Sequence, residues 1–244
     1  MTAIKINELT KKYKDVTAVA GISLEIREGE LFSLIGVNGA GKTTTVKMLS
    51  SLLRPTSGDA LIYGHSITGE PDKVKEIIDI SMQETAVARK LTVKENVDFY
   101  ASLNGRDKDE RAAAEKYVFD VFGLGKVADK RAGKLSGGWQ RKLSIALALV
   151  SRPKVLFLDE PTLGLDVIAR RELWKTIREL KKEMTIILTT HYMEEAEALS
   201  DRIGIMKEGR LLFAGTKEEL FETTGRQNVE DAFLYIVSGG ESDA

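Results

Sequence analysis

The chain has 244 residues, 43% of them hydrophobic and 30% charged, the composition of a globular protein with ample length to bury a core. Lys and Arg number 36 against 37 Asp and Glu, a net charge of −1, which argues against a broad nucleic-acid-binding face and so against direct nucleic-acid partners. There is no cysteine, so disulfides and thiolate metal sites are excluded and a reducing compartment fits.

Met1 to Lys14 is polar and lacks the apolar run of a signal peptide. The longest apolar stretch, around Ile145 to Val150, is far short of the roughly 20 residues that span a bilayer. The chain is therefore expected to be soluble, with any membrane role coming through a partner. Residues 3–8 and 22–27 read as antiparallel strands divided by a polar turn at Lys11 to Asp15. Tyr13, in that turn region, is either a partly buried surface tyrosine or a ring that stacks on a nucleotide base.

Leu31 to Ile35 is a short buried strand, and Thr43 to Leu52 reads as a helix. Between them Gly36, Gly41, Lys42 and Thr43 keep the spacing G-x-x-x-x-G-K-[ST] of a phosphate-binding loop, in the strand–loop–helix context that loop requires. Glycines at 36, 39 and 41 allow a tight turn that aims backbone N–H groups into one concavity, and the helix start adds its partial positive charge. Lys42 is placed to reach the β- and γ-phosphates and the Thr43 hydroxyl to ligate Mg²⁺. The nucleotide-contacting set is Val37, Asn38, Gly39, Ala40, Gly41, Lys42, Thr43 and Thr44.

A breaker cluster at Leu52 to Gly58 precedes a strand at Asp59 to Tyr63, with His65 in a surface turn after it. A helix at about Asp72 to Glu76 leads to a strand at Ile77 to Met82. Gln83 follows, at a strand's carboxyl end, where open α/β sheets bind ligands. From Leu91 to Gly133 the chain turns helical and charge-rich. Leu135-Ser136-Gly137-Gly138-Trp139-Gln140 then opens a helix running to about Ser151, with Ser136 able to cap it. That start is either a second anion-binding helix terminus or an ordinary capped one.

Val155 to Leu158 is a buried strand ending in Asp159-Glu160. Two carboxylates at such a tip need a cation or hydrogen bonds, and beside a phosphate loop these are Mg²⁺ for Asp159 and an attacking water for Glu160. Gly164 to Asp166 turns into a helix over Val167 to Lys182, and a strand at Thr185 to Leu188 leads to His191, read as a phosphate contact rather than a structural residue. A helix at Met193 to Leu199, a hairpin (Arg202 to Met206, Arg210 to Ala214) and a tail helix at Val229 to Ile236 complete the chain; Ser238 to Ala244 reads as frayed.

Together these motifs resemble the ATP-binding subunit of an ABC transporter over about residues 3 to 223. The phosphate loop at Gly36–Thr44 is followed in order by a Gln loop (Gln83), a signature (Leu135–Gln140), the Asp159–Glu160 pair, a D-loop aspartate (Asp166) and a switch histidine (His191). The resemblance implies an α/β fold: a phosphate-loop ATPase core with a mainly parallel sheet, an N-terminal antiparallel β subdomain and an inserted helical subdomain. The corresponding division is residues 1–90 with 152–222 for core and β subdomain, 91–151 for the helical part, and 223–244 for a short tail.

It also implies that Tyr13 stacks on adenine, that Asp159 and Gln83 hold Mg²⁺, that Glu160 activates water and that His191 steadies the γ-phosphate. Ser136, Gly137 and Gly138 would face ATP bound to a second ATP-binding subunit in a head-to-tail homodimer. Integral membrane transporter subunits would dock after Gln83 and on the helical insertion, placing the chain in the cytoplasm against the inner face of the membrane. Val37 stands where the family usually has Pro, and Trp139 where the signature usually has Gln. The stretch from Thr190 (THYMEEAEALSDRI) and the tail Asn228 to Leu234 resemble drug- or ion-exporter-type subunits. A non-transport ABC ATPase acting on a macromolecular assembly is the alternative function.

Overall fold

The computed structural model describes residues 1–103 and 107–240. The chain opens with two long strands, β1 (Thr2–Tyr13) and β2 (Val16–Arg27), paired antiparallel. Both exceed the segments predicted from apolar alternation. Lys11, Lys12 and Tyr13, expected in a turn, pair with Val19, Thr17 and Val16, so only Lys14 and Asp15 connect the strands. Polar side chains at a sheet edge face water while the backbone still pairs, so polarity alone does not end a strand. β4 (Ser57–Ile62) pairs with β1, and the two-residue β5 (His65–Ser66) with β4, giving a sheet of order β2-β1-β4-β5. His65 therefore opens a short strand instead of sitting in a turn.

The second sheet is built from β3 (Leu31–Ile35), β6 (Ile78–Ser81), β7 (Val155–Asp159), β8 (Thr185–Thr190), β9 (Arg202–Lys207) and β10 (Arg210–Gly215), in the order β10-β9-β3-β8-β7-β6. Every pair is parallel except the β9–β10 hairpin. β3, β7 and β8 are buried along their whole length, as apolar runs covered on both faces of a parallel sheet must be. Their alternate residues feed two different cores. Leu31, Leu156, Leu158, Ile186 and Leu188 face one cluster, and Phe32, Leu34, Val155, Phe157 and Ile187 the other.

Helices cover both faces. α1 (Lys42–Leu49) and α2 (Pro71–Ile77) lie near the β-rich side, with Val46 and Val74 in its core. α3 (Val93–Leu103), α4 (Lys108–Phe122) and α5 (Gly137–Leu149) share the opposite core with α6 (Val167–Leu180). α4 begins under the Asp107 carboxylate, which accepts from Asp109 N and Glu110 N, and ends at left-handed Gly123. α7 (Met193–Leu199), α8 (Lys217–Thr224) and α9 (Val229–Val237) pack through Ala196, Leu220, Val229 and Phe233 against Ile35, Ile203 and Ile205. α8 was not predicted, although Thr216 and Glu219 form a reciprocal capping box at its start. Past α9 the backbone remains tied through Gly240, whose N–H donates to Tyr235 O at 3.0 Å; the rest of the expected frayed end, 241–244, lies outside the described residues. Among the described residues no helix is long and apolar enough to cross a membrane.

Asp79 in β6 provides a pH-dependent test of this packing. Its carboxylate accepts from Ile80 N at 2.7 Å and Ser151 Oγ at 2.9 Å, yet burial pushes its pKa from 3.8 up to about 6. A carboxyl whose folded pKa is raised destabilises the fold once the unfolded chain ionises. The penalty grows from pH 3.8 to about 6 and is then constant. Asp79→Asn is expected to raise the thermal midpoint at pH 7, by about 2–4 °C for each kcal/mol recovered. The gain should fade as the pH falls towards 4. A midpoint difference independent of pH would contradict the assignment to Asp79.

Candidate active site

The register of the parallel sheet decides where the predicted residues meet. Ile35 pairs with Thr190, Asp159 with Thr189, and Ser81 with Leu158, so the carboxyl ends of β3, β8, β7 and β6 finish at one edge. The phosphate loop, His191, Glu160 and Gln83 each follow one of those ends. They line a single cleft of about 440 Å³ with Ala18, Asn38, Gly39, Ala40, Gly41, Thr43, Thr44 and Leu163.

The loop requires its glycines. A Cβ on Gly36 would stand 2.5 Å from Met206 O, and one on Gly41 2.5 Å from Ala18 O, with Gly41 at φ 105 as the N-cap of α1. The loop therefore packs directly on the backbone of Met206 and Ala18, and the start of α1 lies at the cleft, a helix N-terminus that suits a phosphate. Lys42, the first residue of α1, is only 6% exposed. Its Nζ donates to Gly36 O at 2.6 Å and Val37 O at 3.4 Å and lies 3.6 Å from Glu160 Oε1. Burial lowers the Lys42 pKa, and the carboxylates of Glu160 and Asp159 oppose that fall.

Asp159 ends β7 fully buried. Its Oδ1 accepts from Thr43 Oγ1 at 3.1 Å and from Thr189 Oγ1, while Oδ2 is buried with no hydrogen-bond partner among the described residues. An unanswered carboxylate oxygen next to a threonine hydroxyl is a hard-oxygen donor set that fits Mg²⁺, which relies on few protein ligands and completes its shell with phosphate and water. Gln83 is exposed at the cleft margin, two residues beyond β6.

Glu160 has φ 50, the left-handed region that non-glycine residues seldom enter, and its N–H donates to Thr189 O at 3.0 Å. This turn sends its carboxylate back to the cleft, where Oε2 lies 2.8 Å from His191 Nδ1. A carboxylate only accepts, so Nδ1 carries the hydrogen and Nε2 of His191 is the ring's other donor or acceptor.

Three predicted groups lie elsewhere. Tyr13 is 47% exposed at the end of β1, with the Lys11 ammonium 5.2 Å from its ring. Val37 is exposed and does not line the cleft. Ser136 and Gly137 are exposed at the start of α5, outside the cleft, and Ser136 makes no side-chain capping bond, contrary to expectation. Its backbone oxygen accepts from Gln140 N instead. Asp166 caps α6, accepting from Ile168 N and Ala169 N at 2.9 Å.

One residue of the site was not found in the sequence. Arg141 on α5 is 4% exposed and donates to the backbone oxygens of Met82, Gln83, Asp159, Glu160 and Pro161. The only available signal was a cation at the edge of an apolar helix face, and Lys142 beside it gave the same signal while pairing with Glu172 at 2.7 Å.

Residues 19–163 match the ABC transporter family. The chain belongs to that family, as an ABC-type ATP-binding domain. Among its relatives is the daunorubicin/doxorubicin resistance ATP-binding protein DrrA of Streptomyces peucetius, 40% identical over 224 residues, covering 91% of this chain and 68% of that protein. Human phospholipid-transporting ATPase ABCA3 is 41% identical over 220 residues, 88% of this chain but 13% of the transporter, so the chain spans only a small part of that relative. A solved ATP-binding cassette, a dimer in a post-hydrolysis state bound to ADP and Pi, superposes with a TM-score of 0.78 at 25% identity, over 87% of this chain and 98% of that one. The ABC fold and its ATPase class account for the cleft. The two sheets correspond to the predicted mainly parallel core and N-terminal antiparallel β subdomain, with helices α3 to α5 inserted between β6 and β7.

Proposed function

We propose that this ABC ATPase hydrolyses ATP within a head-to-tail homodimer and powers export through separate integral membrane subunits, lying in the cytoplasm against the membrane. The observation that carries this reading is Glu160, held between Lys42 Nζ and His191 Nδ1 at the mouth of the phosphate loop. In this reading the loop amides of residues 37–44 and Lys42 bind the phosphates, and Tyr13 stacks on the base. Glu160 takes a proton from the attacking water as its oxygen bonds to the γ-phosphorus and the bond to the β–γ bridging oxygen breaks. His191 orients that carboxylate and the γ-phosphate. Thr43, Asp159 and Gln83 would hold Mg²⁺, which supplies charge neutralisation for the phosphates when bound.

Export and homodimer formation are supported by the drug-resistance relative and the dimeric neighbour, and by the exposure of Ser136 and Gly137 to a second subunit. Within this proposal residues 91–151 form the helical arm carrying the signature, residues 1–90 with 152–222 the nucleotide-binding body, and 223–244 the tail. The test is to capture tagged Glu160→Gln from detergent-solubilised native membranes with Mg-ATP. An integral membrane protein at near-equal amount is expected. Soluble partners alone, with the chain absent from membranes, would favour a non-transport ATPase switch.

A further inference from the structure

Arg141 uses every donor it has. Nε donates to Pro161 O at 2.7 Å, Nη1 to Met82 O at 2.6 Å and Gln83 O at 3.1 Å, and Nη2 to Asp159 O and Glu160 O, both at 2.8 Å. A guanidinium carries five N–H groups in a fixed planar fork, and here all five meet backbone carbonyls. Burial draws the Arg141 pKa down to about 10, with Asp159, Glu195 and Glu160 opposing the fall, so the group stays cationic at neutral pH. A buried cation is a costly way to hold a helix against a sheet, since apolar side chains do that without desolvating a charge.

Its targets are also selective. They are Met82 and Gln83, just past the end of β6, and Asp159 to Pro161, where β7 ends, on both sides of Glu160. Glu160 has φ 50, and its peptide groups are pinned in two directions: its N–H on Thr189 O of β8, and the carbonyls of 159, 160 and 161 on Arg141. Release of the Arg141 end frees the backbone to leave an unfavourable conformation and carries the carboxylate away from His191 and Lys42. Arg141 also stands one helical turn past Gly137, so α5 connects that exposed signature glycine to the same carbonyls.

We propose that Arg141 is a positioning residue for hydrolysis, aiming the Glu160 carboxylate by clamping the backbone on both sides of it and tying that geometry to the signature helix and to Gln83. This rests on the assignment of Glu160 to the attacking water. The simpler alternative is a packing clamp that fastens α5 to the sheet.

The test compares Arg141→Lys, Glu160→Gln and the double variant in the purified full chain. Readouts are kcat and KM for Mg-ATP and the thermal midpoint. A lysine keeps the charge but offers one nitrogen for five carbonyls at and just past the ends of two strands. Arg141→Lys is expected to lower kcat about 10- to 100-fold, the scale of a small misplacement of a reacting group, with KM close to the parent and a midpoint lowered by the carbonyls the lysine leaves unmet. The double variant should be no slower than Glu160→Gln alone, since both act through one carboxylate. Parent-like kcat in Arg141→Lys overturns the proposal, as does a fall in kcat accompanied by an equal rise in KM, or multiplied losses in the double variant. Should the lysine variant not fold, Arg141→Gln, which strands no buried charge, is read by the same split. A parent-like rate in Glu160→Gln would instead overturn the assignment of Glu160 itself.

Discussion

Replacing Glu160 with glutamine is expected to lower kcat for ATP hydrolysis by about 10²–10⁴-fold, the range for losing a positioned general base. The substitution keeps the side chain's size and can keep the contact with His191 Nδ1, now 2.8 Å, because the amide oxygen still accepts. It removes the basicity proposed to receive the water's proton and the negative charge 3.6 Å from Lys42. The loop amides and Lys42, proposed to hold the phosphates, are untouched, so Mg-ATP should bind at least as well and the nucleotide-bound dimer should persist. Phosphate release at saturating Mg-ATP, with size-exclusion chromatography in Mg-ATP alongside, measures both. Parent-like turnover would show that Glu160 does not take the water's proton.

Lys42→Ala is expected to act on binding rather than on turnover alone. Lys42 is nearly buried, and its Nζ is held by Gly36 O at 2.6 Å, at the floor of the concavity. Removing one member of a desolvated charge pair typically costs about 2–5 kcal/mol, so the Kd for Mg-ATP should weaken at least about 30-fold. The loss has a second source. Glu160 and Asp159 interact with the Lys42 ammonium, and without it their carboxylates repel the incoming phosphates. Titration calorimetry with Mg-ATP on the folded variant is the measurement. An unchanged Kd would remove Lys42 from the phosphate contacts.

Much of the site was legible because its motifs are local. The strand–loop–helix from Leu31 to Leu49 is specified within twenty residues by glycine placement and helix polarity, and the structure places it as expected. The buried strands at 155–159 and 185–190 were equally plain, since a sheet covered on both faces demands unbroken apolar runs. Boundaries were less so. β1 runs on through Lys11, Lys12 and Tyr13 because its backbone pairs with β2 whatever the side chains prefer. α8 carries no apolar stripe to mark it, and its only local signal is the capping box of Thr216 and Glu219.

By itself the sequence determined that the chain folds as a phosphate-loop α/β protein, which residues follow the strand ends, and that a signature-type glycine pair opens a helix. These features depend on periodicity and on spacing along a few residues. Only the tertiary structure decided that Asn38–Thr44, Gln83, Glu160 and His191 line one cleft, because that requires the order β3-β8-β7-β6, in which neighbours in space are far apart in the chain. It also chose between Arg141 and Lys142. Adjacent residues on a helix point about 100° apart, so one cation faces the strand-end carbonyls and the other Glu172. Their shared composition carries no trace of that choice, which the packing of α5 on the sheet makes.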